Sequence, residues 1–113
     1  MKKILFIVFT FLLILCIYSG STAESKTEYY TQINNELRLL NNSLRKRNIL
    51  RSYECLTRIN NICEKYIIYL KSIDESTEEA EKIAQYATKA VMEAKKYSYY
   101  LKLAKEALKN TQK

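Results

Sequence analysis

Few residues in this chain are equipped for chemistry. Two cysteines, Cys55 and Cys63, lie eight positions apart, and there is no histidine anywhere. A thiol nucleophile needs a base to draw off its proton, and imidazole, the usual one, is missing. Two thiols at this spacing also lack the ligand pattern of a zinc site. The single glycine is Gly20, so no glycine-rich loop exists to cradle a phosphate. Carboxylates gather once, at Asp74, Glu75, Glu78, Glu79 and Glu81, where the start of a helix accounts for them. These absences predict a protein that is not an enzyme and that holds neither metal nor cofactor.

The thiols have three readings. In an oxidising compartment pairing is the first expectation. Eight residues of straight α-helix, however, separate two Cα atoms by about 12 Å, and a disulfide needs them within about 7 Å. A bridge between Cys55 and Cys63 therefore requires a turn, for which Asn60-Asn61 is the only local candidate. Pairing of each with a second chain would give a cross-linked homodimer. Reduced burial in a core is the third reading, common for free cysteine.

Binding chemistry is better represented. All five arginines fall between 38 and 58, and the basic set Arg38, Arg45, Lys46, Arg47, Arg51 and Arg58 is opposed there only by Glu54. Such a cluster suits an anionic surface, whether lipid headgroup or acidic glycan, or an acidic face on a protein partner. A solvated helix face gives the same pattern. Nucleic acid is disfavoured, because no reading motif is present. Tyr97, Tyr99 and Tyr100 stand beside Lys95, Lys96 and Lys102, and three rings in four residues cannot all enter one core. Aromatic groups beside cations are enriched at binding surfaces. Asn41-Asn42-Ser43 reads as a glycosylation acceptor and Lys46-Arg47 as a dibasic processing pair, both short motifs frequent by chance.

The elements that must position these groups follow from periodicity. Met1-Lys2-Lys3, an apolar run from Ile4 to Tyr18 and the small residues Ser19 to Ala23 form the pattern of a secretory signal peptide cut after Ala23. Retention as an anchor through residues 4–20 is the alternative, although fifteen helical residues reach only about 22 Å against a hydrocarbon core of roughly 30 Å. Cys16 follows Leu15, where a lipid-attachment site needs a small residue. The expected location is thus outside the cell, or in the periplasm of a Gram-negative source, with membrane anchoring second. The remaining 90 residues have no glycine and no proline, and 17 basic against 12 acidic groups leave +5.

Three apolar seams then appear. Tyr30, Ile33, Leu37, Leu40 and Leu44 form the first, and Ser25-Lys26-Thr27-Glu28 offers it a capping box. Ile49, Tyr53, Leu56, Ile59, Cys63, Tyr66, Leu70 and Ile73 form the second. Ala80, Ile83, Ala87, Ala90, Ala94, Tyr97, Leu101, Ala104 and Leu108 form the third, an unbroken heptad rhythm behind a Ser76-to-Glu79 capping box. Residues 30–35 and 56–61 share four identities, too little for a repeat architecture. The step of five from Leu44 to Ile49 marks either a turn or a rotation of one long helix. The expected organisation is a leader over 1–23 and an all-α domain over 24–113, with helices over about 26–46, 49–73 and 77–110. That is a three-helix antiparallel bundle if residues 45–48 turn, and otherwise a long coiled-coil-like hairpin. Either would act by binding, the bundle as a small secreted protein. An anchored chain would instead serve as an envelope spacer or assembly subunit.

Overall fold

The computed structural model describes residues 25–113, so the leader expected over 1–23 and the anchor over 4–20 lie outside the described residues. Those described are all-helical, with no strand among them. Four α-helices run in order: α1 over Lys26–Arg45, α2 over Ile49–Ser72, α3 over Glu78–Met92 and α4 over Tyr97–Asn110, with a short 3-10 turn, Ala94–Lys96, before α4. No helix among the described residues is long and apolar enough to cross a membrane.

The helix starts use polar side chains as caps. Ser25 Oγ accepts from the Glu28 amide at 3.2 Å, and Asn48 Oδ1 accepts from the Arg51 amide at 3.2 Å. Each bond satisfies one of the four amides that a helix start leaves without a partner. At α3 the expected Ser76 cap is displaced. The helix begins at Glu78 behind Thr77, and Ser76 Oγ accepts from the Glu78 amide at 3.3 Å, two residues on rather than three.

Both early turns end a helix without glycine. Arg47 and Asp74 take left-handed backbone, φ 57° and 59°. In the first turn the Arg47 amide donates to the Leu44 carbonyl (3.1 Å) and the Asn48 amide to that of Ser43 (2.8 Å). In the second, Asp74 donates to Lys71 (3.1 Å) and Glu75 to Leu70 (2.9 Å). This is the Schellman pattern, which normally recruits glycine to the left-handed position. The break at residues 45–48 is therefore a turn, and a single rod over 26–73 does not form.

The expected third helix over 77–110 is corrected: it is two helices. At Glu93 the backbone leaves the helix (φ −117°, ψ 67°), and the chain folds back. Asn110 Nδ2 of α4 consequently reaches Glu79 Oε2 at the start of α3, 3.4 Å away. Nothing in Glu93-Ala94-Lys95-Lys96 is a helix breaker, so length and burial must decide. A 34-residue helix would extend about 51 Å, whereas α1 and α2, with 20 and 24 residues, extend about 30 and 36 Å. About 15–21 Å of the longer helix, roughly a third, would then have no covering partner. Folding back lays Ala80, Ile83, Ala87 and Ala90 near Leu101, Ala104, Ala107 and Leu108, all buried in one core.

The result is an up-down-up-down arrangement of four helices rather than three, each packed on the helix before and after it, with α4 closing onto α1. Tyr29, Ile33, Leu37 and Leu40 from α1 and Cys55, Ile59, Cys63, Tyr66 and Leu70 from α2 complete the core. The seams hold through the middle and shift at their ends. Tyr29 replaces Tyr30 as the buried ring of α1, and Ser43 replaces Leu44. On α2 the small Ser52 and Cys55 face inward, while Ile49 and Tyr53 of the expected seam stand exposed. The Ser43 and Ser52 hydroxyls, 2.9 Å apart, also contact the Leu40 carbonyl (2.9 Å) and the Asn48 carbonyl (2.8 Å). Two small hydroxyls that satisfy one another let α1 and α2 run close together at their turn.

Candidate binding site at the basic end

The fold gathers the α1–α2 turn and the α3–α4 turn at one end of the bundle. Arg45, Lys46, Arg47 and Arg51 come from the first, and Lys95 and Lys96 from the second. All six are exposed, and among the described residues none makes an ion pair. Between the turns lies an open cleft of about 570 Å³. Its lining divides into cations (Arg45, Arg47, Lys95) and apolar groups (Leu44, Ile49, Ala94, Tyr97), together with Ser52.

Two members of the expected basic set are elsewhere. Arg58 lies two turns further along α2, where its Nε donates to Glu36 Oε2 at 2.9 Å and ties α1 to α2. That carboxylate raises the guanidinium pKa through the hydrogen bond and its charge. Arg38 is exposed near the middle of α1, about two turns from the end. Neither belongs to the site, and Lys95 and Lys96 take their places. Their partnership with Arg45–Arg51 depended on the α3–α4 turn, which no residue type marks.

The three tyrosines also separate. Tyr97 is half-buried in the cleft wall. The Tyr100 hydroxyl donates to the Glu93 carboxylate across the turn, which raises its pKa because the ionised ring would lose that bond and face a like charge. Tyr99 is exposed, its ring edge-on to Tyr100 with centroids 5.4 Å apart. Tyr99 and Tyr100 thus lie together outside the buried core, apart from Tyr97 in the cleft wall.

The cysteines leave the chemistry altogether. Helix α2 runs unbroken through Asn60-Asn61, so the local bridge does not form, and both thiols are free and buried. Burial pushes Cys63 up to about 12. Cys55 is raised too, with burial opposed by the Arg58 charge, and its sulfur accepts from Arg58 Nη2 at 3.3 Å. Protonated and enclosed, neither thiol is disposed to react or to reach a second chain. Ser43, the hydroxyl residue of the glycosylation motif, is buried as well.

At the opposite end the acidic run 74–81 is answered by lysine. Lys26 pairs with Glu75, and Lys82 Nζ lies 3.2 Å from Glu79 and 3.7 Å from Glu78. No group of three or more metal-ligating side chains occurs among the described residues. No family model, curated protein or solved structure matches this chain.

Proposed function

We propose that this chain is a small, non-enzymatic binding protein that engages an anionic partner through its basic end, and that it is exported by the leader over 1–23. The observation that carries the reading is the convergence of two separate turns, which gathers six cations with no ion-pair partner among the described residues. Each cation held near an anionic surface contributes about 1 kcal/mol at physiological ionic strength. Six together suffice for a reversible, salt-sensitive association. The third seam is consumed inside the chain, where α3 packs against α4, and among the described residues it leaves no long heptad face for a second helix.

Retention of residues 4–20 in a membrane is the second reading, and one observation shapes it. Helix α1 begins at the acidic end, and its 20 residues carry the basic end about 30 Å away. An anchored chain would hold its basic end outward, toward whatever lies opposite the membrane. The mass of the natural product separates the two, since cleavage removes 23 residues.

The anionic reading is tested on immobilised heparin. Wild type is expected to be retained at low salt and released as salt rises, and Arg45→Glu/Arg47→Glu/Lys95→Glu to pass through. Equal retention of this triple variant would refute the reading.

A further inference from the structure

The basic end also carries the most exposed apolar side chains of the described residues. Ile49, Leu50 and Met92 are 70, 72 and 70% exposed, more than any other large apolar group there. Ile49 and Leu50 open α2 directly after the basic turn, and Met92 closes α3 directly before the second. Tyr53, half-exposed, stands one helical turn behind Ile49. The exposure of Ile49, Leu50 and Tyr53 follows from the register of α2, which buries Ser52 and Cys55 and leaves these three outward.

We infer that the basic end seats on the surface of an anionic phospholipid bilayer. Arg45, Arg47 and Lys95 take headgroup phosphates at the cleft, and Ile49, Leu50 and Met92 pass beneath the headgroup plane. This rests on the anionic-partner reading above and names its source.

The combination of groups selects the bilayer. A glycan is hydrated throughout and offers nothing to three protruding aliphatic side chains. An acidic protein face would need recesses to receive them. A bilayer supplies anionic charge at the surface and hydrocarbon some 5–10 Å below it, so one surface answers both the cations and the exposed aliphatic side chains of this end. Long arginine and lysine stems let the charged heads remain at headgroup level while the backbone approaches. Tyr53, with an apolar ring and a polar hydroxyl, matches the boundary between the two layers. The cleft's own lining repeats the scheme, with cations and an apolar wall in one opening.

Two variants and two surfaces test this. Leu50→Ser/Met92→Ser keeps every charge, and both side chains are exposed and outside the cleft lining, so folding, followed by helical circular dichroism, is expected to persist. The Arg45→Glu/Arg47→Glu/Lys95→Glu variant removes the charge. Each is sedimented with phosphatidylcholine vesicles containing phosphatidylserine, and each is passed over immobilised heparin. Wild type is expected to bind the anionic vesicles and not pure phosphatidylcholine. The serine variant is expected to lose about tenfold or more of vesicle partitioning while its heparin retention stays unchanged. The glutamate variant loses both. Vesicle binding by the serine variant equal to wild type overturns the bilayer assignment and leaves a soluble acidic partner, as does heparin retention without vesicle binding. If the glutamate variant keeps both surfaces, the anionic-partner reading itself fails.

Discussion

The two ends of this bundle are built from similar material and put it to opposite uses. At the acidic end, charges and polar groups are spent on the fold. Lys26 pairs with Glu75, Lys82 with Glu78 and Glu79, and Asn110 with Glu79. Gln112 Nε2 donates both to the Lys26 carbonyl (3.1 Å) and to the Tyr66 hydroxyl oxygen (3.2 Å), which ties the chain's last residues to the start of α1. Tyr29 and Tyr66 stack there, centroids 4.7 Å apart, with Tyr69 alongside at 5.5 Å from Tyr29. At the basic end, six cations have no ion-pair partner among the described residues, and the largest apolar exposures of the bundle face outward. Salt bridges are weak stabilisers at a surface, so their distribution says less about stability than about what each end is free to touch.

The widest gap between the ends should appear when a side chain of each is removed. Tyr66 is fully buried beneath its stacked partner, and Tyr66→Ala is expected to cost roughly 3–5 kcal/mol in urea unfolding. Tyr66→Phe, which removes only the hydroxyl and its bond to Gln112, is expected to cost about 1 kcal/mol. A loss at Tyr66→Ala no larger than that from an exposed residue of the basic end would break the contrast.

Alkaline pH offers the next effect. Burial raises Cys63 from 9.0 to about 12, so the native state keeps a proton that the unfolded chain has released. The stability linked to this thiol is whole below pH 9. It is lost as pH climbs through the window from 9 to 12, with a slope of about 1.4 kcal/mol per pH unit. Burial raises Tyr66 as well, which adds to the fall in the same direction. Stability measured across this window in Cys63→Ala should decline less steeply than in wild type. Parallel curves would mean that the thiol is not enclosed as its position in α2 implies.

Most of the fold was legible because most of it is periodic. Ile33, Leu37, Leu40, Ile59, Cys63, Tyr66, Leu70, Ile83 and Leu108 sit in the core where their spacing placed them, and Asn48 marks a turn that a missed step in the rhythm announced. The misreadings have two causes. The seam of 80–108 keeps its three-four rhythm across Glu93, and each local choice there favours helix, so only the length of α1 and α2 argues for folding back. That is a tertiary constraint, absent from any short window. The site inherits the same blindness: Arg45, Arg47 and Arg51 were visible as a cluster, whereas Lys95 and Lys96 join them only once the chain turns. The exposure of Ile49, Leu50 and Tyr53 was hidden because serine at 52 competes poorly with tyrosine at 53 in any reading that equates apolar with buried. The structure instead buries the small residue where two helices must approach closely.

The left-handed turn residues, one at each end, separate stability from binding. Glycine relieves the crowding of a side chain at φ near 60°, so Arg47→Gly and Asp74→Gly are each expected to stabilise the fold by about 0.5–1 kcal/mol in urea unfolding. Their effects on binding should diverge. Arg47→Gly removes a cation from the basic end and should shorten retention on heparin, while Asp74→Gly should leave it unchanged. Equal retention of both variants would detach Arg47 from the site.

The smallest expected change is the most pointed. Leu50→Ser should alter stability by no more than about 0.5 kcal/mol in either direction, since the side chain is 72% exposed and the bundle gains little from it. A leucine that the fold does not use, placed between Ile49 and Arg51 at the basic end, then fits the bilayer contact proposed for it. If its replacement instead cost as much as a core truncation, Leu50 would be holding α2 in place. The division between an end that sustains the bundle and an end that is free to bind would then be lost.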